Sequence, residues 1–190
     1  MSKLLLVSLF IFAGCRAAPA PVVKAPTMEK HVAAAPRIPL SEIDLTRIGS
    51  VASKGRVQDT DYNHLPIVEN LIAHGNDSVP FLIGKLADET KIRGHVFDYW
   101  YDVRVGDVAF VILTDFFTDR TWRDTTVPGV GYDTFLQRAN SDIMAEQVLR
   151  DYIAKHGRGD ISNRWRQIWV QYKDRVYWDE SDRCFKLRDS

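Results

Sequence analysis

NHLPIVENLIAHGNDSVPFLIGKLAD, residues 63–88, decides the fold class. Leu65, Val68, Leu71 and Ile72 recur at steps of three and four, the spacing that gathers apolar side chains on one face of a helix. Asn63 is a candidate cap, Pro66 falls in the first turn, where its missing N–H costs nothing, and Gly75 stands where a helix ends on positive φ. Val79, Leu82, Ile83 and Leu86 repeat the spacing, with Asn76 to Ser78 offering capping oxygens and Pro80 in another first turn. Two helices with only Gly-Asn-Asp between them are expected to fold back as an antiparallel hairpin. Their apolar stripes then require cover from the rest of the chain.

That cover is sought downstream. DVRVGDVAFVILTDFF, residues 102–117, predicts a third helix over about 103–117, apolar at Val105, Val108, Ala109, Ile112, Leu113 and Phe116 and also at Phe110, Val111 and Phe117. A helix apolar nearly all round belongs at the centre of a domain. VAFVIL alone also fits a short strand, but the period of three and four runs on longer than strands usually do. After a loop, SDIMAEQVLRDYIAKHG (141–157) sets Met144, Val148, Leu149 and Tyr152 on one broad face, closed by Gly157. ISNRWRQIWVQYKDR (161–175) places Trp165, Ile168, Trp169 and Tyr172 at i, i+3, i+4 and i+7, most simply as core. VYWDESDRCFKL (176–187) reads as a small terminal hairpin turning at Asp179 to Asp182. The expected class is mainly α: a compact helical bundle containing the early hairpin, with a short C-terminal β-hairpin.

The amino end is an address. Lys3 precedes an apolar core from Leu4 to Phe12, too short for the roughly 20 residues of a spanning helix and the right size for a signal peptide. The run ends Ala13-Gly14-Cys15, which resembles the lipobox of bacterial lipoproteins, with Phe12 where that family usually has Leu. The resemblance implies cleavage before Cys15, acylation of its thiol and a membrane anchor without a spanning helix. Residues 16–40 are twelve-twenty-fifths Ala and Pro, and five prolines oppose long helix or strand. The expected organisation is a signal peptide over 1–15, a tether over 16–40 and one helical domain over 41–190.

Five of the 25 Lys and Arg and one of the 25 Asp and Glu lie in residues 1–40, leaving 20 basic and 24 acidic groups on the domain. Nucleic-acid binding needs a basic footprint, so that partner class is set aside. Only Cys15 and Cys184 exist, which rules out a disulfide framework. In RCFKL nothing near Cys184 lowers a thiol pKa, so a buried inert thiol is expected.

IVENLIAHGNDSVPFLIGKLADE followed by VRVGDVAFVILTDFF looks like the repeat units of HEAT-type helical proteins. Gly75, Val79 to Ile83, and Ala109 to Leu113 carry the likeness, over about residues 64–117. No second copy of GNDSVPFLIGKL occurs, which departs from a true repeat array and leaves open whether this is one degenerate repeat pair inside an ordinary helical domain. The whole chain also resembles bacterial lipoproteins of uncharacterised role. The resemblance to HEAT modules implies binding of other proteins along a helical face, with no chemistry and no cofactor.

RGHVFDYWYDVR, residues 93–104, is the patch richest in functional groups. If helical, Asp98 and Asp102 share a face, with His95 one turn before, a set suited to a divalent metal or acid–base work in a metal-assisted hydrolase. The plainer alternative makes Asp102 a cap for the following helix, pairs Asp98 with Arg93 or Arg104, and leaves His95 in a loop. Asp115 and Asp119 fit a solvated helix end, and His64 and His74, about 15 Å apart along one helix, cannot share a metal. Val127 to Gly131 lacks the Lys-Ser/Thr of a phosphate cradle and reads as a turn. The aromatics Phe97, Tyr99, Trp100 and Tyr101 are the candidate binding residues, for a protein partner first and a cell-wall glycan second, unless they fill the core. The expectation is therefore an envelope lipoprotein on the periplasmic side, anchored through Cys15, binding an envelope protein without catalysis, metal or cofactor.

Overall fold

The structure is a computed structural model and describes residues 37–48, 65–93, 100–119, 125–137 and 145–188. The chain enters through two 3₁₀ turns, Leu40–Glu42 and Leu45–Arg47. Asp44 caps the second, its Oδ1 accepting the Thr46 N–H at 3.0 Å and the Thr46 hydroxyl at 2.6 Å. Helix α1 covers Pro66–Ala73, a 3₁₀ turn Gly75–Asp77, and α2 Ser78–Lys85. Then come α3 at Val105–Phe116, a single turn α4 at Tyr132–Phe135, α5 at Ala145–His156 and α6 at Arg158–Tyr172. Strands β1 (Val176–Asp179) and β2 (Cys184–Leu187) close the description. The fold is mainly helical with a two-stranded antiparallel sheet, in register Val176↔Leu187 through Asp179↔Cys184.

The expected helices are present, α6 beginning at Arg158 rather than Ile161, and the caps differ. Pro66 does open α1, but Leu65 at the N-cap makes no side-chain cap bond, and Asn63 lies outside the described residues. No side chain caps α2 either; the Ser78 hydroxyl instead donates to the Gly75 carbonyl at 2.7 Å, tightening the turn before it. Asp102 does not cap α3. Asp107, in its first turn, accepts the Arg104 N–H at 2.8 Å, where a carboxylate also meets the positive end of the helix dipole.

α3 is the centre, with ten of its twelve residues buried, as an all-round apolar helix requires. α2 takes its principal packing from α3 and α6 rather than from α1, and α5 packs on α6. Gly106 makes the α2–α3 approach possible: a Cβ there would stand 2.4 Å from the Leu86 carbonyl oxygen and 2.9 Å from Arg158 Nη1. Gly157, at φ 79°, is the whole connection between α5 and α6, a left-handed residue that turns the chain in one step.

A run of rings joins the elements. Phe110 meets Phe135 at 5.4 Å, Phe135 stacks on Trp165 at 5.5 Å, Trp165 lies 5.7 Å from Phe117, and Phe117 lies 5.2 Å from Phe185. Trp178 then packs edge-on against Phe185 at 5.1 Å and Phe116 at 5.5 Å, so the terminal hairpin is seated on α3 through aromatic contact. Of the α6 residues expected as core, only Trp165 is fully buried; Ile168, Trp169 and Tyr172 are half-buried and line a cleft with Val79, Phe117 and Val127.

The hairpin turn is built on Asp179, whose Oδ1 accepts from the Ser181 N–H at 2.9 Å, the Ser181 hydroxyl at 2.6 Å and the Asp182 N–H at 3.0 Å. These bonds, with Lys186 at 2.9 Å, hold the Asp179 carboxyl far below the usual carboxylate range. On β2, Cys184 is fully buried and burial pushes its thiol up to about 11. From the ordinary 9.0 that shift removes thiolate on the order of 100-fold near neutral pH. In the native protein at pH 8, DTNB is expected to titrate Cys184 only after guanidinium is added; prompt colour from this thiol in buffer would contradict its burial.

Candidate interaction site

The segment 100–106 runs antiparallel to 88–92. Ile92 N–H donates to the Val103 carbonyl, Val105 N–H to Thr90 and Gly106 N–H to Asp88, each at 2.9 Å, and Lys91 pairs with Arg104 as an isolated bridge. This two-stranded tie delivers the chain to the start of α3 and fixes residues 100–102 at its outer end.

Asp102 adopts φ 57°, a left-handed conformation that costs a non-glycine residue and has to be held. Lys91 Nζ reaches its Oδ1 at 2.6 Å and Arg104 Nη2 its Oδ2 at 2.6 Å. The Lys91 bond, followed by the Arg104 charge, lowers its carboxyl below the ordinary range. Both carboxylate oxygens are thus committed to cations on the two tied segments.

Tyr101 beside it is held from the other direction by α5. Glu146 Oε1 accepts the Tyr101 N–H at 3.2 Å, and the Arg150 guanidinium donates to the Tyr101 carbonyl. Glu146 and Arg150 also bond each other, Nε to Oε1 at 2.8 Å, as an i,i+4 pair on one helix face. Every backbone polar group of Tyr101 is therefore engaged by a charged side chain, yet the residue is 74% exposed. Trp100, one residue earlier, is half-buried and packs on the core.

Of the four aromatics expected to bind, the structure places Tyr101 outward and Trp100 against the core; Phe97 and Tyr99 lie outside the described residues. For the hydrolase reading, His95 and Asp98 also lie outside them, and Asp102 is not on a helix but in the left-handed residue paired with Lys91 and Arg104. Among the described residues no group of three His, Cys, Asp or Glu comes together as a metal site. Asp115 lies within α3 and Asp119 just beyond it, and His64 is outside the described residues. His74 Nε2 lies 2.8 Å from the Ile38 carbonyl oxygen. Val127 to Gly131 is a turn, with Val127 and Val130 buried and Gly129 at φ 83°. Cys15 lies outside the described residues, and among those described no helix is long and apolar enough to cross a membrane.

Sequence reasoning missed Glu146 and Arg150. Their i,i+4 spacing is a signal for a helix pair, but nothing local shows that the pair grips a backbone 45 to 49 residues earlier. Comparison of the chain with protein-family models, with curated proteins and with solved structures finds no match.

Proposed function

We propose that this chain is a lipid-anchored protein of the cell envelope, facing away from the cytoplasm, whose helical domain binds a protein partner through an edge centred on Tyr101, without catalysis. The observation that carries the binding reading is a large exposed ring on an immobilised backbone. An aromatic side chain loses little rotamer freedom on contact, and the Glu146 and Arg150 bonds have already removed the backbone's share of the ordering cost. Exposed Lys91, Asp102 and Arg150 surround it with both signs of charge, the polar setting typical of an interface rim.

The anchoring reading is supported by the Leu4 to Gly14 run ending on Cys15 and by the Ala/Pro-rich stretch after it. A HEAT-like pair is proposed for α1 and α2 with α3, supported by Gly75, Val79 to Ile83 and Ala109 to Leu113 falling in the order that family uses.

Two measurements test the reading. Intact mass of the protein from its native host is expected to show a chain beginning at an acylated Cys15; an unmodified chain still carrying Met1 would end the anchoring proposal. For binding, Tyr101→Ala is expected to weaken the partner complex about 30-fold, the effect of removing an aromatic hot spot, while leaving the urea midpoint unchanged. Tryptophan fluorescence that shifts with cell-wall glycan fragments, and not with the protein partner, would move the function to sugar binding.

A further inference from the structure

The structure assigns Asn70 and His74 as a latch that holds the backbone of the chain's own incoming segment at Ile38. Asn70 Oδ1 accepts the Ile38 N–H at 2.9 Å, and His74 Nε2 lies 2.8 Å from the Ile38 carbonyl oxygen, where it acts as the donor. Asn70 Nδ2 donates to the Pro66 carbonyl at 3.1 Å, which turns the amide so that its oxygen faces Ile38. Residues 70 and 74 are one helical turn apart at the end of α1, so their side chains stand one above the other. Together they do what a neighbouring strand would do: satisfy both backbone polar groups of Ile38. The Ile38 side chain takes no part and is 45% exposed, so the latch grips main chain rather than a particular residue.

Inside this point the segment is bound by other means. Leu40 packs on the core, Ile43, Leu45 and Ile48 are buried, and the Thr46 carbonyl accepts the Arg93 N–H at 3.3 Å. Among the described residues, Asn70 and His74 therefore form the outermost tie of a strap over residues 38–48. If the chain is anchored at Cys15, as proposed above, the latch sets the length of chain between the anchor and the domain. Its contour from Cys15 to Ile38 is at most about 80 Å, and release back to Ile43 would add about 17 Å. Only this last consequence rests on the anchoring.

The peptide bond whose nitrogen is gripped, Arg37–Ile38, is a trypsin site, and Arg37 is exposed. In the purified full chain, cleavage there is expected to be about tenfold or more slower than in an isolated peptide of residues 31–44, because the bond must be freed before it can enter a protease. Combined Asn70→Ala and His74→Ala are expected to bring the rate to within about threefold of the peptide, with the urea midpoint of the domain little changed. Cleavage of the wild-type chain at the peptide rate, or a folded double variant as resistant as wild type, overturns the latch. Amide exchange at Ile38 in the unaltered chain decides the matter should the double variant fail to fold: slowing of about tenfold is expected, and exchange at the unprotected rate refutes it. Both readouts are the same whether or not Cys15 carries lipid.

Discussion

Asp107→Ala is expected to lower the stability of the domain by about 3–5 kcal/mol, the cost of breaking a buried pair from one side. Asp107 is 7% exposed, its Oδ1 paired with Arg158 Nη2 at 2.8 Å and its Oδ2 accepting the Arg104 N–H. Removing the carboxylate strands the guanidinium between α3 and the start of α6 and leaves an amide at the head of α3 without its acceptor. For a domain of this length, each kcal/mol moves the melting temperature by roughly 2–4 °C, so a drop of roughly 6–20 °C should be seen. Asp107→Asn keeps an acceptor for Arg104 and should lose less. Replacing both partners, Asp107→Leu with Arg158→Leu, should cost less than Asp107→Ala alone, since an apolar pair leaves no charge buried. Urea midpoints measure all three. A loss below about 1 kcal/mol for Asp107→Ala, the value of an exposed pair, would mean that water reaches the contact.

Trp165→Ala should be comparably damaging, at about 3–5 kcal/mol, because the indole is fully buried between Phe135 and Phe117 and ties α6 to α4 and α3. Its distinctive feature is that Nε1 has no hydrogen-bond partner among the described residues. A buried donor left unsatisfied costs about 1–3 kcal/mol. Trp165→Phe deletes that donor and keeps a ring in the stack, so the lost volume and the relieved penalty oppose each other, and a net change within about 1 kcal/mol is expected. Equal losses for Trp165→Phe and Trp165→Ala would show that Nε1 is satisfied or that volume alone governs the site.

These two positions also show what was legible beforehand. Val105, Val108, Ile112 and Phe116 carry a period that survives any tertiary context, so α3 and its central place could be read directly. The terminal hairpin was visible for the same reason: two short apolar runs flank a turn that Asp179 can cap by itself. The start of α6 was placed three residues late because Arg158, Gly159 and Asp160 look like loop residues. Two tertiary bonds give them a reason to be helical: the Arg158–Asp107 pair, across 51 positions of sequence, and the Tyr152 hydroxyl donating to Asp160 at 2.6 Å. The cap expected for α2 failed similarly, since a side chain able to cap is free to bond elsewhere, as Ser78 does with Gly75.

For the candidate site, the aromatic cluster was conspicuous in composition, but exposure is not a local property. Trp100 and Tyr101 are neighbours of like chemistry, yet one packs on the core and the other stands out, because α5 and the Lys91–Arg104 tie fix the backbone between them. The Asn70–His74 grip on Ile38 spans 32 to 36 residues and was equally out of reach. Long-range bonds to main chain leave no pattern in a sequence.

The binding account is tested most directly by a photo-crosslinking amino acid placed at position 101 in the native host, with a second placed at Val170, which is 65% exposed on α6. The account predicts one discrete protein adduct at 101, absent at 170 and abolished by Glu146→Ala with Arg150→Ala, which frees the Tyr101 backbone. An adduct at 170 and none at 101 would contradict it.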